Sequence, residues 1–283
     1  MVFSIAKTGR LGLIGTLLAA VLSATACQPG VGAGTSASAS PSPEPAKHVF
    51  VIVLENTSYQ LALRQPYIAS LSRQYALATN YSAVALPSLP NYLAISSGST
   101  WGIRDDAYHQ LPAGGIGAQL TSAGISWKAY MEGFTGNPFA YYGGACPSNV
   151  VPMTNLGPDL KAGTPQLSWI TPGLCNDGHD CGLRTADRWL SQVVPQITSS
   201  PAWRKDGVLF ITWDESSAND SRVALLVVTP SLRGQITMPL DHYSLSATIS
   251  EQLGVARLGQ ARQATSLSKE LQAARVQASP SGS

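Results

Sequence analysis

His48-Val-Phe-Val-Ile-Val-Leu54, followed at once by Glu55-Asn56, is the stretch that decides the fold. Seven residues without polar alternation, five of them (Val49 to Val53) β-branched or aromatic in a row, suit a strand covered on both faces, the pattern of a parallel sheet. The design recurs. Residues 208–213 (VLFITW) stop at Asp214-Glu215, and residues 167–171 (LSWIT) run into Pro172 and the loop Cys175-Asn176-Asp177-Gly178-His179-Asp180-Cys181. Residues 223–229 and 125–131 read as two more strands, and segments 61–76, 116–123, 185–199 and 244–253 carry helical spacing. Strands alternating with helices define an α/β domain.

The composition agrees. Of 283 residues, 44% are hydrophobic and 12% charged, enough apolar material for a sizeable core. Eighteen basic and sixteen acidic residues leave a formal charge of +2, with no run of Lys or Arg to follow a phosphate backbone, so no nucleic-acid partner is expected. No obligate protein partner is expected either.

The N-terminus reads as an export address. Lys7 and Arg10 precede the apolar run Leu11 to Leu22, too short for the roughly 20 residues that span a bilayer, and the small residues Ser23-Ala24-Thr25-Ala26 lead to Cys27. Two cleavages compete: one after Ala26, and a lipoprotein-type one that leaves Cys27 to be acylated. Residues 28–46 are nearly all Gly, Ala, Ser and Pro and form a flexible linker, suited to holding a domain off a membrane through a lipid on Cys27. The expected divisions are therefore 1–27 signal segment, 28–46 linker, 47–262 folded domain and 263–283 a partly disordered tail. The expected location is outside the cell, on the outer face of the membrane as a lipoprotein or freely secreted. In that oxidising setting Cys175 and Cys181 are the natural disulfide, with Cys146 the competing partner.

Ligands of open α/β sheets bind beyond the carboxyl ends of the strands. Glu55, Asp177, Asp214 and Glu215 all fall there. One such carboxylate would be an ordinary surface residue. Four together repel one another unless a cation neutralises them, and oxygen donors suit a hard divalent ion: Mg, Mn or Ca, or Zn if His joins. Ser88 precedes Pro90 and Gly98 closes the same segment, which is helix punctuation: Ser88 as N-cap, Gly98 as stop. Beside that bland role stands a chemical one, because a hydroxyl at a helix N-terminus faces unpaired N–H groups that attract phosphate oxygens. His48 reads as a surface or linker residue, and His109 as a loop residue for which reach into the cleft is the weaker of two readings. Trp127, Tyr130, Trp169 and Trp213 read as core aromatics, and Glu132 as support for the site.

Six segments in order, V-I-V-L-E-N (51–56), P-S-L-P-N-Y-L-A-I-S-S-G (87–98), S-W-K-A-Y-M-E (126–132), C-N-D-G-H-D-C (175–181), F-I-T-W-D-E (210–215) and D-H-Y-S-L (241–245), resemble the bacterial phosphoesterase family. That family holds acid phosphatases and phospholipases C and belongs to the alkaline-phosphatase-like superfamily. The resemblance implies a three-layer α/β/α sandwich with a mostly parallel central sheet. It matches Glu55, Asn56, Ser88, Asp177, Asp214 and Glu215 to metal ligands and Ser88 to the nucleophile. Asn56, His179 and His242 are matched to phosphate contacts, and the two histidines also to catalysis. Where relatives carry His before Asn-Pro-Phe, this chain has Gly136 before Asn137-Pro138-Phe139.

The function so implied is metal-dependent hydrolysis of a small phosphomonoester through a phosphoserine. Its rivals are a phospholipase C acting on headgroups and a non-catalytic, lipid-anchored binder of phosphoesters. Other hydrolase motifs, G-x-S-x-G and H-E-x-x-H among them, are absent.

Overall fold

The computed structural model describes residues 48–133, 136–143, 147–217 and 220–278. The signal segment, Cys27, the linker and Cys146 lie outside the described residues.

Strand β1 (His48–Leu54) is the spine of the sheet, and Val49 through Leu54 are fully buried, as a strand covered on both faces requires. The other strands of the main sheet are β2 (Ala76–Ala78), β4 (Trp127–Met131), β5 (Val150–Pro152), β6 (Leu167–Thr171), β7 (Gly207–Trp213), β8 (Leu225–Val228) and β9 (Gly234–Ile236). Eight strands follow the order β5-β4-β6-β1-β7-β8-β2-β9. Only β8 runs against its neighbours. Strands β3 (Tyr81–Ser82) and β10 (Leu240–Asp241) form a separate parallel pair.

The helices are α1 (Tyr59–Leu63), α2 (Pro66–Gln74), α3 (Ser88–Ser97), α4 (Gly115–Ser122), α5 (Leu156–Ala162), α6 (Leu183–Ser199), α7 (Pro201–Asp206), α8 (His242–Gln252) and α9 (Ser268–Ala278). They pack in two groups, α1, α2, α5, α6 and α7 in one and α3, α4, α8 and α9 in the other. With both faces of the central strands buried, this is the expected three-layer sandwich. Helix α6 shows how the sequence builds a layer: Ala186, Trp189, Leu190, Val193, Val194 and Ile197 recur at helical spacing and are buried. Trp127, Tyr130, Trp169 and Trp213 are core residues, and Phe139 packs between Trp127 (5.0 Å between ring centroids) and Trp169 (5.4 Å).

Residues 61–76, read as one helix, are two. Pro66 opens α2, and Gln65 before it is extended at φ −79°, ψ 135°, because the proline ring disfavours helical geometry in the preceding residue. The region 223–229 contributes only the four-residue β8. Beyond residue 262, Leu267 and Leu271 belong to the main hydrophobic core, so α9 is part of the packed body.

Helix α3 is buried along nearly its whole length, from Leu89 to Ser97. Its end is set by Gly98, in the left-handed region at φ 66°, whose carbonyl accepts from Gln260 N at 2.7 Å. A Cβ at Gly98 would lie 2.2 Å from the Leu258 carbonyl oxygen. Left-handed strain of ~1–2 kcal/mol and a backbone clash of ~1–3 kcal/mol then add. Gly98→Ala is expected to lower unfolding stability by ~3 kcal/mol, measured by chemical denaturation; a change under about 1 kcal/mol would show that the contact relaxes freely.

Candidate active site

The register of β1 against β7 builds the site. Leu54 pairs with Trp213, so the next residues, Glu55 and Asp214, emerge side by side at the carboxyl edge. Asp214 N donates to Leu54 O (2.9 Å), and Asn56 N donates to Asp214 Oδ1 (2.9 Å). Asn56 takes a left-handed φ of 47°, a conformation Asn tolerates better than most side chains, which turns the chain at the strand end. Glu55 N donates to Asp177 O (3.1 Å) and Thr57 N to Glu215 O (3.0 Å). Backbone hydrogen bonds thus join the ends of β1 and β7 to the loop after β6.

The Ser88 hydroxyl donates to Glu55 Oε2 at 3.1 Å and also lies within hydrogen-bond reach of the Asp214 carboxyl. Ser88 is the first residue of α3; the cap position is Pro87, and the hydroxyl makes no capping bond. The expected N-cap role is therefore corrected: the side chain turns to the carboxylates instead of the helix N–H groups. One turn on, Tyr92 donates from its hydroxyl to Glu55 Oε1 (2.6 Å), while Asn56 Nδ2 donates to Oε2 (3.0 Å). Asn91 pins the approach to Ser88: its Oδ1 accepts from Val84 N and Ala85 N, and its Nδ2 donates to the carbonyls of Ala85 and Pro87.

Charge is concentrated and poorly solvated here. Burial first, then Glu55, holds the Asp214 carboxyl well above the usual range. Burial, then Glu55 and Asp106, raises Glu215 to about 7. Burial also raises Asp177 to about 7, although the 2.8 Å hydrogen bond from His179 N opposes it. Among the described residues, Asp214 Oδ2 and Glu215 Oε2 are buried without a hydrogen-bond partner. Two buried carboxylate oxygens left bare are the sign of a missing positive charge.

No set of three His, Cys, Asp or Glu side chains among the described residues is arranged in this conformation to hold a metal ion. What converges is Glu55 and Asp214 on Ser88, with Asn56 beside them. The bare oxygens and the all-oxygen donor set fit a hard divalent cation.

The two histidines diverge. His179 sits half-exposed on the rim of the cleft, its Nδ1 2.7 Å from Asp180 Oδ1; that partner, then the nearby carboxylates, raises its pKa and favours imidazolium. His242 departs from the expected phosphate contact. It is fully buried, with Nε2 2.6 Å from the Asp214 carbonyl and Nδ1 2.7 Å from the Tyr81 hydroxyl. A carbonyl only accepts, so Nε2 carries the proton and Nδ1 accepts from Tyr81. Burial pushes its pKa down to about 4. His242 is a neutral brace behind Asp214, with both nitrogens occupied.

The cleft has a volume of about 310 Å³, and Glu55, Ser88, Tyr92, Asp106, Asn137 and His179 are among its lining residues. No Lys or Arg lines it among the described residues. Asp106 accepts from Leu89 N (2.9 Å) at the start of α3. Gly136 also lines the cleft, at φ 68°; a Cβ there would lie 3.0 Å from the Tyr92 hydroxyl and from Thr171 Cγ2. The departure from the family's His is thus built into the packing. Cys175 and Cys181 form the disulfide. Glu132 accepts from Gly173 N and Asn176 Nδ2, bracing the loop that carries Asp177. His109 bonds to Asp105 (2.6 Å) on the surface and is not a lining residue, and His48 bonds to Asp206 (2.7 Å) at the far end of β1. Tyr92, Asn91 and Asp106 were missed as site residues. The first two lie inside the quoted P-S-L-P-N-Y segment at helical offsets from Ser88, a signal that was available.

The Phosphoesterase family profile matches residues 62–256, and the chain belongs to this family. Among relatives, it is 28% identical over 243 residues to a phosphate-repressible acid phosphatase of Penicillium chrysogenum, covering 74% of this chain and 59% of that one. It therefore spans less than two thirds of that relative, and only 55% of an Aspergillus fumigatus acid phosphatase. A Mycobacterium tuberculosis phosphatidylinositol-3-phosphatase matches at 26% identity over 90% of this chain and 91% of its own length. Among solved structures, mouse ectonucleotide pyrophosphatase/phosphodiesterase 5 superposes with a TM-score of 0.60 at 9% identity, covering 77% of this chain and 99% of that one. A Vibrio parahaemolyticus protein of the alkaline phosphatase superfamily gives 0.58 at 13%, covering 76% and 69%. The fold is that of the alkaline phosphatase superfamily.

The site makes stability depend on pH. Asp177 and Glu215 hold protons up to about 7 in the fold but only to ~4 when unfolded, so the cation-free fold binds more protons across that interval. Their stabilising effect is full at low pH and is lost as pH rises through 7. His242, at about 4 folded and ~6.5 unfolded, works the other way over the lower window between those values. Cation-free protein is therefore expected to melt higher at pH 6.5 than at pH 8.5, measured by calorimetry, and added divalent cation should raise the melting temperature more at pH 8.5. A lower melting temperature at pH 6.5 would contradict the burial of these carboxyls.

Proposed function

We propose that this chain is a phosphoric ester hydrolase, a phosphomonoesterase of acid-phosphatase type that uses Ser88 as nucleophile. The observation that carries the reading is the Ser88 hydroxyl held against Glu55 and Asp214 at the N-terminus of a buried helix. The family membership and the named relatives support the reaction class.

Glu55, Asn56, Ser88, Asp177, Asp214 and Glu215 would hold a divalent cation (Mg, Mn, Ca or Zn). When bound, it would supply the positive charge that lets a dianionic phosphoester approach the carboxylates. Ser88 Oγ–H passes its proton to Glu55 Oε2 as the oxygen attacks phosphorus. The bond from phosphorus to the leaving oxygen breaks, and that oxygen takes a proton from His179 at the rim. Water then attacks the phosphoserine, giving a proton back to His179, and Ser88 recovers its own from Glu55. The Leu89 N–H, now given to Asp106, and the Asn56 side chain, now given to Glu55, would turn to the phosphoryl oxygens. Tyr92 and Asn91 orient the nucleophile, and His242 fixes Asp214 from behind.

The substrate is a phosphorylated small molecule or a lipid headgroup monoester; the match to a phosphatidylinositol-3-phosphatase along 91% of its length favours including the latter. A phospholipase C reading differs in the bond cut: diacylglycerol, not inorganic phosphate, would be released. Export is proposed on the Lys7–Cys27 pattern and the Cys175–Cys181 disulfide, with Cys27 as the membrane attachment.

Ser88→Ala is expected to cut turnover of an aryl phosphate by at least ~10³-fold with the fold intact by circular dichroism, and near-normal turnover would remove Ser88 from the mechanism. Exhaustive removal of divalent cations should likewise abolish phosphate release, and one of the four ions should restore it; activity persisting in their absence would refute the cation requirement.

A further inference from the structure

The cleft is poor in cations: Glu55 and Asp106 line it, no Lys or Arg does among the described residues, and His179 at its rim is the one basic side chain in the lining. Arginine is gathered elsewhere. A groove of about 670 Å³ between α2 and α6 is lined by Arg64, Arg184 and Arg188 together with Tyr67, Ser70 and Ser191. Arg64 stands 120 residues from Arg184 in sequence (184 − 64), so the fold, not a basic run, assembles this group.

None of the three guanidinium groups has a hydrogen-bond or ion-pair partner among the described residues. One carboxylate lines the groove, Asp187, and it is committed: its Oδ1 accepts from Ile68 N (2.9 Å) and its Oδ2 from Tyr67 N (3.2 Å), capping α2. Three guanidiniums against one capped carboxylate leave a surplus of positive charge in a concave site with hydroxyls beside it. Unpaired arginines in a groove have the fork geometry that takes phosphate bidentately.

The groove also lies at the working end of the sheet. Helix α6 begins just after the loop that carries His179, and Arg184 follows His179 by five residues, at most roughly 18 Å of extended chain. Arg64 caps the C-terminus of α1, which begins at Tyr59, three residues after Asn56 at the carboxyl end of β1. A positive groove beside an acidic cleft gathers anions near the site that needs them.

We propose that the α2–α6 groove is a second, non-catalytic binding site for a multiply phosphorylated anion, either a free phosphorylated molecule or the headgroups of an anionic lipid surface. It goes beyond the phosphatase reading and does not require turnover. Arg64, Arg184 and Arg188 hold the anion; the Ser70 and Ser191 hydroxyls beside it donate to the carbonyls of Tyr67 (2.7 Å) and Arg188 (2.6 Å).

The test is binding by the full chain with Ser88→Ala, so that no ligand is consumed. Fructose 1,6-bisphosphate is titrated calorimetrically into this protein with and without Arg184→Gln/Arg188→Gln, substitutions at exposed helix positions that keep helix propensity. Loss of at least about tenfold in bisphosphate affinity, with fructose 6-phosphate affinity in the cleft changed less than twofold, supports the site with a free molecule as source. In the second arm, Arg-dependent sedimentation with phosphatidylglycerol vesicles but not phosphatidylcholine vesicles supports it with lipid as source. If neither the bisphosphate nor the vesicles respond to the two substitutions, or a Lys161→Gln/Lys269→Gln control weakens binding as much, the proposal is overturned. These outcomes are independent of whether Ser88 is the nucleophile.

Discussion

The constraint on which this molecule depends is the burial of like charge at the end of two paired strands. Parallel pairing of β1 and β7 with Leu54 opposite Trp213 leaves Glu55 and Asp214 no choice but to emerge together. Asp214 is fully buried, and burial together with the neighbouring Glu55 carboxylate holds its carboxyl well above the usual range. Such an arrangement is unfavourable for a bare fold and favourable for one that binds a cation, which is why raised carboxyl pKa values and unpartnered oxygens occur together here.

The rest of the site is scaffold for that pair. Helix α3 brings three groups to it from one surface: Ser88, Tyr92 one turn later, and Asn91 holding the loop that feeds the helix. The far end of α3 is fixed by close approach of Gly98 to residues 258–260, and its flank by α8. Behind Asp214, a neutral His242 with a defined tautomer carries the strand-end carbonyl. Polar groups deep in a core are costly unless satisfied, and here Asn91 and His242, which hold the backbone, are satisfied while Asp214 Oδ2 and Glu215 Oε2 are left bare.

Much of this was legible in the sequence, for physical reasons. Long apolar runs such as 48–54 and 167–171 leave an unmistakable trace, and acidic residues at their ends mark the carboxyl edge. Strands of two or three residues, β2, β3, β5, β9 and β10, are too short to establish a period, and they were not read. The split of 61–76 hung on Pro66 alone. For the site, residue type located Glu55, Ser88, Asp214 and Glu215, but orientation was beyond reach: nothing in D-H-Y-S-L says that His242 turns inward to a carbonyl, or that Ser88 faces carboxylates and not its own helix. Asp106 and the arginine groove are products of tertiary proximity, with no local pattern to betray them.

A cation bound among Glu55, Asp214 and their neighbours is the claim most directly open to measurement. Isothermal titration of the full chain at pH 8 with Mg²⁺, Mn²⁺, Ca²⁺ and Zn²⁺ in turn should give stoichiometric binding of at least one of them, lost in Asp214→Asn protein of unchanged circular dichroism. Absence of binding by all four, or binding that Asp214→Asn leaves intact, would contradict the account.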